Sequence, residues 1–294
     1  MRVAVIGGNG QLGQDVCAAF SAAKHEVTAL THVDVEVSSF DSVKAALERV
    51  RPDLVINTAA FHNVDRCETE PAPAFTVNAL GGRNVASATD EIGAVLLHIS
   101  TDYVFDGLKR SPYVEQDAPA PLNVYGNSKL AGEFFVRSIA RRYFLVRVSG
   151  IYGLHPCRAK GGLNFVEMML KLARERGEVR VVDDEIVTPT PTSEIAKQLV
   201  LLSGTTDYGI YHASSEGSCT WYEFASAVFE LSRTQAKLEK ARPGEFPAKA
   251  KRPKYSVLEN KALKDRSLNV FTHWKNGLSE YLKQRQMSES PIAR

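Results

Sequence analysis

Cysteine is scarce in this sequence, and the few cysteines are not grouped. Among 294 residues there are only Cys17, Cys67, Cys157 and Cys219, with no Cys-x-x-Cys pair. That spacing predicts neither a zinc site nor a disulfide framework, and we expect no bound metal. Free thiols are typical of proteins that work in a reducing compartment.

Long apolar runs and a strong charge of one sign are also missing. No segment approaches the roughly 20 apolar residues that a membrane helix needs. The first residues lack the long apolar stretch and cleavage site of a signal peptide. The net charge is only +2, and basic and acidic residues alternate, so no stripe for nucleic acid stands out. We therefore expect a cytoplasmic protein that binds neither membranes nor nucleic acids.

The first half of the chain alternates short apolar runs with helical patterns. Strands are predicted at residues 3–6, 27–30, 54–57 and 95–100, separated by helices at 11–23, 40–51 and 72–91. Continuous apolar strands separated by helices indicate a parallel sheet covered on both faces. The fold class predicted is therefore α/β, a doubly wound Rossmann fold.

The pattern becomes less regular after residue 150. Before it we predict a helix from about residue 128 to 142 and a strand at 144–148. Beyond it we predict helices at 164–176 and 220–232, a strand at 209–212 and an irregular segment at 241–253. The predicted organisation is a dinucleotide-binding Rossmann domain over residues 1–150 and a smaller substrate-binding lobe over 151–294. Residues from about 186 to 214 are expected to return to the sheet.

A glycine motif follows the first predicted strand and opens the first predicted helix. Gly7, Gly10 and Gly13 are spaced as Gly-x-x-Gly-x-x-Gly. Such glycines permit a tight turn and a close approach of the backbone to a pyrophosphate at the helix N-terminus. An ordinary glycine-rich turn is the alternative, and the strand–turn–helix context disfavours it. The motif predicts a nicotinamide dinucleotide cofactor.

The end of the second predicted strand bears on which nicotinamide cofactor is bound. An acidic residue there holds the ribose 2′-hydroxyl of NAD and repels the 2′-phosphate of NADP. Thr31 and His32 occupy that place, and Asp34 and Glu36 come too late in the sequence for a ribose assignment. The pattern favours NADP(H) and leaves NAD(H) open.

A tyrosine and a lysine have the spacing of a reductase site. Tyr125 and Lys129 lie at positions i and i+4, which share one face of a helix, and Thr101 follows the fourth predicted strand. A nearby ammonium lowers the pKa of a phenol, so Tyr125 is expected to donate a proton to a carbonyl oxygen. Thr101 is expected to hydrogen-bond the same oxygen. When it stands alone, a Tyr-x-x-x-Lys spacing is more often an accidental surface pair. Together with the glycine motif, it makes Thr101, Tyr125 and Lys129 the catalytic candidates.

At these residues the chain resembles the extended short-chain dehydrogenases/reductases and, more narrowly, the dTDP-4-dehydrorhamnose reductase family. The Asp-Tyr-Val-Phe-Asp-Gly motif at 102–107 and the Leu-Asn-Val-Tyr-Gly motif at 122–126 are specific to this branch. Further matching stretches lie at 51–65, 189–192, 220–224 and 251–258. The resemblance implies NAD(P)H-dependent reduction of the 4-keto group of a dTDP-4-keto-6-deoxy sugar. The nucleotide sugar is the expected partner, and a homodimer is allowed.

The resemblance also implies roles for individual residues. The cofactor residues follow the ligand from pyrophosphate through adenine to nicotinamide: Gly7, Gly10, Gln11, Leu12, Gly13, Glu36, Val37, Ala60, Phe61, His62, Tyr125 and Lys129. The substrate residues are Thr101, Asp102, Asn164 and Arg252. For Arg252, a contact with the substrate diphosphate and a solvated loop position are both open.

One position departs from the family. Gly150 stands where the family commonly has a tryptophan that packs on the substrate. Glycine supplies no such face, so the exact sugar and the product epimer stay open.

The second hypothesis is a non-catalytic NADP-binding subunit that resembles the regulatory beta subunit of methionine adenosyltransferase. Turnover of NADPH distinguishes the two hypotheses.

Overall fold

The computed structural model describes residues 1–157, 161–242 and 244–289. Residues 288 and 289 are described by their backbone alone. The strands are β1 Arg2–Ile6, β2 Glu26–Leu30, β3 Leu54–Asn57, β4 Val95–Thr101, β5 Tyr143–Val148, β6 Ile151–Tyr152, β7 Glu178–Val181, β8 Ile186–Val187, β9 Thr190–Pro191, β10 Gly209–His212, β11 Cys219–Thr220 and β12 Lys237–Lys240. The helices are α1 Gln11–Ala22, α2 Phe40–Val50, α3 Val64–Thr69, α4 Pro71–Phe75, α5 Gly81–Glu91, α6 Val124–Ile139, α7 Phe165–Arg176, α8 Thr192–Ser203, α9 Trp221–Ser232, α10 Lys261–Asp265 and α11 Trp274–Glu289.

Six parallel strands form the central sheet, in the order β10-β5-β4-β3-β1-β2. Each strand is apolar because both faces of the sheet are covered by helices. One face packs on α1 and α8, and the other packs on α2, α5 and α6. The doubly wound α/β prediction is confirmed. Since parallel strands end at one edge, the carboxyl ends of β1, β3, β4 and β5 meet there.

A separate apolar core lies outside the sheet. It is built by α7, α9 and α11 with strand β7, and its buried aromatic side chains include Tyr152, Phe224, Trp274 and Tyr281. Other segments from beyond residue 150 complete the core of the sheet instead. Helix α8 packs on α1, β10 extends the sheet, and Leu263 and Phe271 join the same cluster.

Three elements differ from the sequence prediction. Helix α6 begins at Val124 rather than near residue 128, because the Asn123 side chain caps it by accepting from the Gly126 amide at 2.8 Å. The predicted helix at 72–91 is three pieces, α4, a π-helix Thr76–Leu80 and α5. Helix α11 was not predicted, although its buried Trp274, Leu278, Tyr281 and Leu282 have helical spacing.

In the ranges that the structure describes, no helix combines the length and the apolar content that crossing a membrane requires. Over the same ranges, no three side chains of His, Cys, Asp or Glu come together as a metal-binding group.

Candidate active site

The glycine motif forms a tight turn at the start of α1. Gly7 has φ +78°, and a Cβ there would lie 2.7 Å from the Thr58 hydroxyl. A Cβ on Gly13 would overlap the Gly7 carbonyl. Helix α1 begins after Gly10 with no side-chain cap and no acidic residue in its first turn. Its first amides are therefore open to a phosphate, and the turn fits the pyrophosphate of a dinucleotide.

The Asp34 side chain lies close to the end of β2. It folds back and accepts hydrogen bonds from the Thr31 amide at 2.8 Å and the Thr31 hydroxyl at 2.7 Å. The sequence interpretation judged Asp34 and Glu36 too late in the chain for a ribose assignment, and which residue meets the ribose stays a prediction. Glu36 accepts from the amide and hydroxyl of Ser38 at 2.9 and 2.7 Å. Val37 is buried against Gly81.

An asparagine in the π-helix holds the segment that follows β3. The Asn78 side chain accepts from the Phe61 amide at 2.8 Å and donates to the Phe61 carbonyl at 2.9 Å. It also donates to the Ser128 hydroxyl at 2.9 Å on helix α6. Thus Ala60, Phe61 and the neighbouring His62 are fixed relative to the helix that carries Tyr125.

Thr101, Tyr125 and Lys129 come together at the carboxyl end of β4. Thr101 is the last residue of β4, and its hydroxyl lies near the Tyr125 phenol. Lys129 lies one helical turn after Tyr125 and is 3% exposed. Its ammonium donates to the Ile99 carbonyl at 2.6 Å, also on β4. The Tyr103 ring packs edge-on against Tyr125, with 5.9 Å between the ring centroids.

The pKa of the Tyr125 phenol differs from the sequence expectation. Burial raises this pKa, and the nearby Thr101 hydroxyl only partly offsets the rise. The expected lowering by Lys129 is therefore wrong for this structure, since the ammonium is bound to the Ile99 carbonyl. A neutral phenol is the form that can donate a proton. Burial lowers the pKa of Lys129 to about 8, against the opposing charge of Glu133.

A buried ion pair lies directly beneath this site. Glu133 on α6 and Arg147 on β5 are 0% and 1% exposed, and Arg147 Nη2 donates to Glu133 Oε2 at 2.7 Å. Ser100 on β4 donates to the same carboxylate at 2.5 Å. The pair joins two strands to the catalytic helix one turn beyond Lys129. Sequence reasoning missed it, although Glu133 lies four residues after Lys129 on one helix face.

The three other substrate candidates have different surroundings. Both carboxylate oxygens of Asp102 accept from hydroxyls, those of Thr101 at 3.0 Å and Ser149 at 2.9 Å, and the side chain is buried. Asp102 therefore orients Thr101 rather than presenting a free carboxylate.

Asn164 caps α7 and donates to the Gly153 carbonyl at 2.7 Å and the Tyr281 hydroxyl at 3.2 Å, so neither amide hydrogen is left for a sugar.

Arg252 retains an unused donor. Its Nη2 lies 3.4 Å from Asp65, and its buried Nε has no hydrogen-bond partner among the described residues. Burial raises the pKa of Tyr103, whose ring packs on Tyr125, and the charge of Arg252 partly opposes that rise. A guanidinium with an unused donor near Tyr103 and Tyr125 suits a phosphate oxygen.

A cysteine that the sequence interpretation gave no role lies at the rim of the site. Cys157 Sγ lies 3.6 Å from Nε2 of His62, and His62 Nδ1 lies 3.3 Å from the Ala60 carbonyl. Cys157 also closes its loop by two backbone hydrogen bonds with Gly162. No sequence motif signals this contact, because the two residues are far apart in the chain.

Gly150 has no room for a side chain. Its φ is +55°, and a Cβ would lie 2.7 Å from the Thr188 carbonyl oxygen and 3.1 Å from Pro189. The backbone here has therefore closed over the space that a tryptophan at this position would need.

A glycine turn on β1, a Tyr-x-x-x-Lys helix and a threonine at the end of β4 together define a short-chain dehydrogenase/reductase of the extended type. Residues 1–287 match the family described as RmlD substrate binding domain. The chain belongs to that family and is an oxidoreductase that uses a nicotinamide cofactor.

Relatives with known names agree with this membership. The chain is 40% identical to the spore coat polysaccharide biosynthesis protein SpsK of Bacillus subtilis (strain 168), over 97% of this chain and 98% of that protein. It is 34% identical to a dTDP-4-keto-6-deoxy-D-glucose reductase of Streptomyces niveus, over 95% and 96%. A dTDP-4-dehydrorhamnose reductase of Bacillus anthracis, solved in complex with NADP, superposes with TM-score 0.92 at 36% identity, over 96% of this chain and 99% of that one.

We predict that Tyr125→Phe lowers kcat by a factor of about 10²–10⁴, because the phenol is the only proton donor that this substitution removes. Cofactor affinity should change little, since the ring is kept. The measurement is steady-state NADPH oxidation together with cofactor titration. Tyr143→Phe, at the opposite end of β5, is the matched control. A near-normal kcat for Tyr125→Phe would exclude Tyr125 as the acid.

We predict that Glu133→Gln moves the alkaline limb of the kcat/KM profile to lower pH. The Lys129 ammonium is present below its pKa of about 8 and is lost above it, and Glu133 is the charge that holds this pKa up. Removing one partner of a buried pair also costs stability, about 3–5 kcal/mol. The double variant Glu133→Gln/Arg147→Met removes both charges, so it should recover stability while keeping the shifted limb. If the alkaline limb of the kcat/KM profile stayed in place in both variants, Glu133 would not be the charge that holds up the pKa of Lys129.

We predict that Gly150→Ala destabilises the fold more than Gly177→Ala. Both glycines have positive φ, +55° and +67°, but only the Cβ at 150 meets backbone. The conformational cost alone is about 1–2 kcal/mol, and the collision with Thr188 adds to it at position 150. Thermal unfolding of the two variants checks this, and equal losses of Tm would show that the Thr188 segment moves aside freely.

Proposed function

We propose that this chain reduces the 4-keto group of a dTDP-4-keto-6-deoxy sugar, with dTDP-4-dehydrorhamnose as substrate, dTDP-L-rhamnose as product and NADPH as the preferred reductant. The observation that carries the proposal is the meeting of Thr101, Tyr125 and Lys129 at the end of β4, where the Lys129 ammonium donates to the Ile99 carbonyl of the same strand. The names of the Streptomyces and Bacillus anthracis relatives support the substrate class.

The residues of the chain divide the work of a carbonyl reduction. The bound nicotinamide supplies the hydride. The Tyr125 phenol donates a proton to the carbonyl oxygen. The Thr101 hydroxyl, which donates to Asp102 before substrate binds, turns to donate to the same oxygen as negative charge develops there. Asp102, itself bound by Ser149, keeps Thr101 next to this position. Lys129 would hold the cofactor ribose, and its ammonium keeps a positive charge beside the reaction.

The nucleotide diphosphate requires a positive group near Tyr125. We expect Arg252 to meet this need, because its buried Nε has no hydrogen-bond partner among the described residues and its charge acts on Tyr103, whose ring packs on Tyr125. Asp65 holds the guanidinium from the other side at 3.4 Å. We assign the diphosphate to Arg252. We assign Asn164 to the structure of the lobe, since its amide is fully used there.

The direct test is turnover. Purified protein should oxidise NADPH, followed at the nicotinamide absorbance, when a dTDP-4-keto-6-deoxy sugar is added. The same sugar linked to UDP and a dTDP sugar without a keto group are the controls. Cofactor binding without turnover of any keto sugar would favour the non-catalytic subunit over the reductase.

Cofactor preference gives a separate prediction. The Asp34 carboxylate lies beside Thr31 at the end of β2, and we expect its negative charge to weaken, without reversing, the preference for NADPH. Asp34→Asn keeps an oxygen that can accept from Thr31 but removes the charge, so the kcat/KM ratio for NADPH over NADH should rise. Thr31→Asp should lower that ratio, because it adds a second carboxylate. Both ratios are measured at fixed ionic strength, and an unchanged ratio in both variants would show that this turn does not face the ribose.

A further inference from the structure

A second cleft lies beside the edge strand β10, away from the glycine turn. In the sheet order, β10 and β1 are four strands apart, which is roughly 19 Å. The cleft has a volume of about 520 Å³. Charged and aromatic side chains from several elements line it: Glu115, Asp117, Arg137, Arg147, Tyr211 and Arg266.

A buried carboxyl group in this cleft has one unused oxygen. Glu115 Oε1 accepts from the His212 amide and the Ala262 amide, each at 3.1 Å. Glu115 Oε2 is buried and has no hydrogen-bond partner in the part of the chain that the structure describes, and the residue is 6% exposed. A buried acceptor that lacks a hydrogen bond is costly, so this oxygen favours a ligand that brings a donor.

Two arginines leave positive charge at the same cleft. Arg147 is neutralised by Glu133, and Asp117 is paired with Lys109 at 2.5 Å. Arg266 lies only loosely near Asp207, at 3.9 Å. Arg137 lies over the Phe134 ring, and within the described ranges no carboxylate pairs with it. Two weakly paired guanidiniums match the charge of about −2 on a phosphate monoester.

We propose that this cleft binds a small phosphate ester that also carries hydroxyl groups. The phosphate lies between Arg137 and Arg266, and a ligand hydroxyl donates to Glu115 Oε2. The site is independent of the proposed reductase activity, because none of these three side chains belongs to the catalytic constellation. Its failure therefore leaves the function proposed above untouched.

The test uses the full chain saturated with NADPH, so that the cofactor site is filled. Isothermal titration compares sn-glycerol 3-phosphate, inorganic phosphate and glycerol. We expect glycerol 3-phosphate to bind about tenfold more tightly than phosphate, the effect of one hydrogen bond to a charged group. Glycerol alone should not bind at the same concentrations. Equal affinity for the two phosphates, or no binding at millimolar concentration, would overturn the proposal.

Variants assign the binding to this cleft. Arg137→Met and Arg266→Met should each weaken both phosphate compounds by a similar factor, whereas Arg176→Met, an exposed arginine on α7, should weaken neither. Glu115→Gln should remove the preference for glycerol 3-phosphate while phosphate still binds. If Glu115→Gln unfolds, the two arginine variants still decide the proposal, since binding that survives both lies elsewhere.

Discussion

The buried pair between Glu133 and Arg147 is the interaction on which the site is built. It joins helix α6 to strand β5, and Ser100 adds strand β4 to the same carboxylate. Removing two charges from water is expensive unless every polar atom is satisfied. Here the geometry fixes where α6 crosses the strand ends, and so where Tyr125 and Lys129 stand relative to Thr101. Arg147 further lies over the Phe105 ring, at 5.1 Å, which packs the loop after β4 against the pair.

Asn78 extends this rigidity to the cofactor side. It sits in the π-helix between α4 and α5, where the widened turn lets its amide reach both Phe61 and Ser128. Gly132 on α6 packs so closely on the Asn78 carbonyl that no side chain fits between them. Asn78 therefore ties the segment after β3 to the catalytic helix, without itself lying among the catalytic candidates.

Periodicity and motif spacing were sufficient for the parallel sheet, the glycine turn and the Tyr-x-x-x-Lys helix, because each depends on residues close in the chain. They did not reveal contacts between distant segments, such as those of Asn78 with Ser128 and of the Asn164 amide with Tyr281. The return of Asp34 to Thr31 and the cap that Asn164 forms on α7 are local contacts, but they depend on side-chain conformations that spacing alone does not select. The pKa of Tyr125 was misjudged for the same reason, since spacing indicates that a lysine is near but not which carbonyl its ammonium binds. Helix α11 could have been predicted from the helical spacing of its apolar residues, but it follows an irregular stretch and was overlooked.

The closed backbone at Gly150 has a consequence for redesign of this site. A tryptophan cannot be installed there by substitution of residue 150 alone, because the segment at Thr188 and Pro189 occupies the space beside it. That segment would have to move as well, and moving it without a large side chain to fill the gap leaves a void. Two coupled changes are therefore needed before position 150 can present an aromatic face to a ligand.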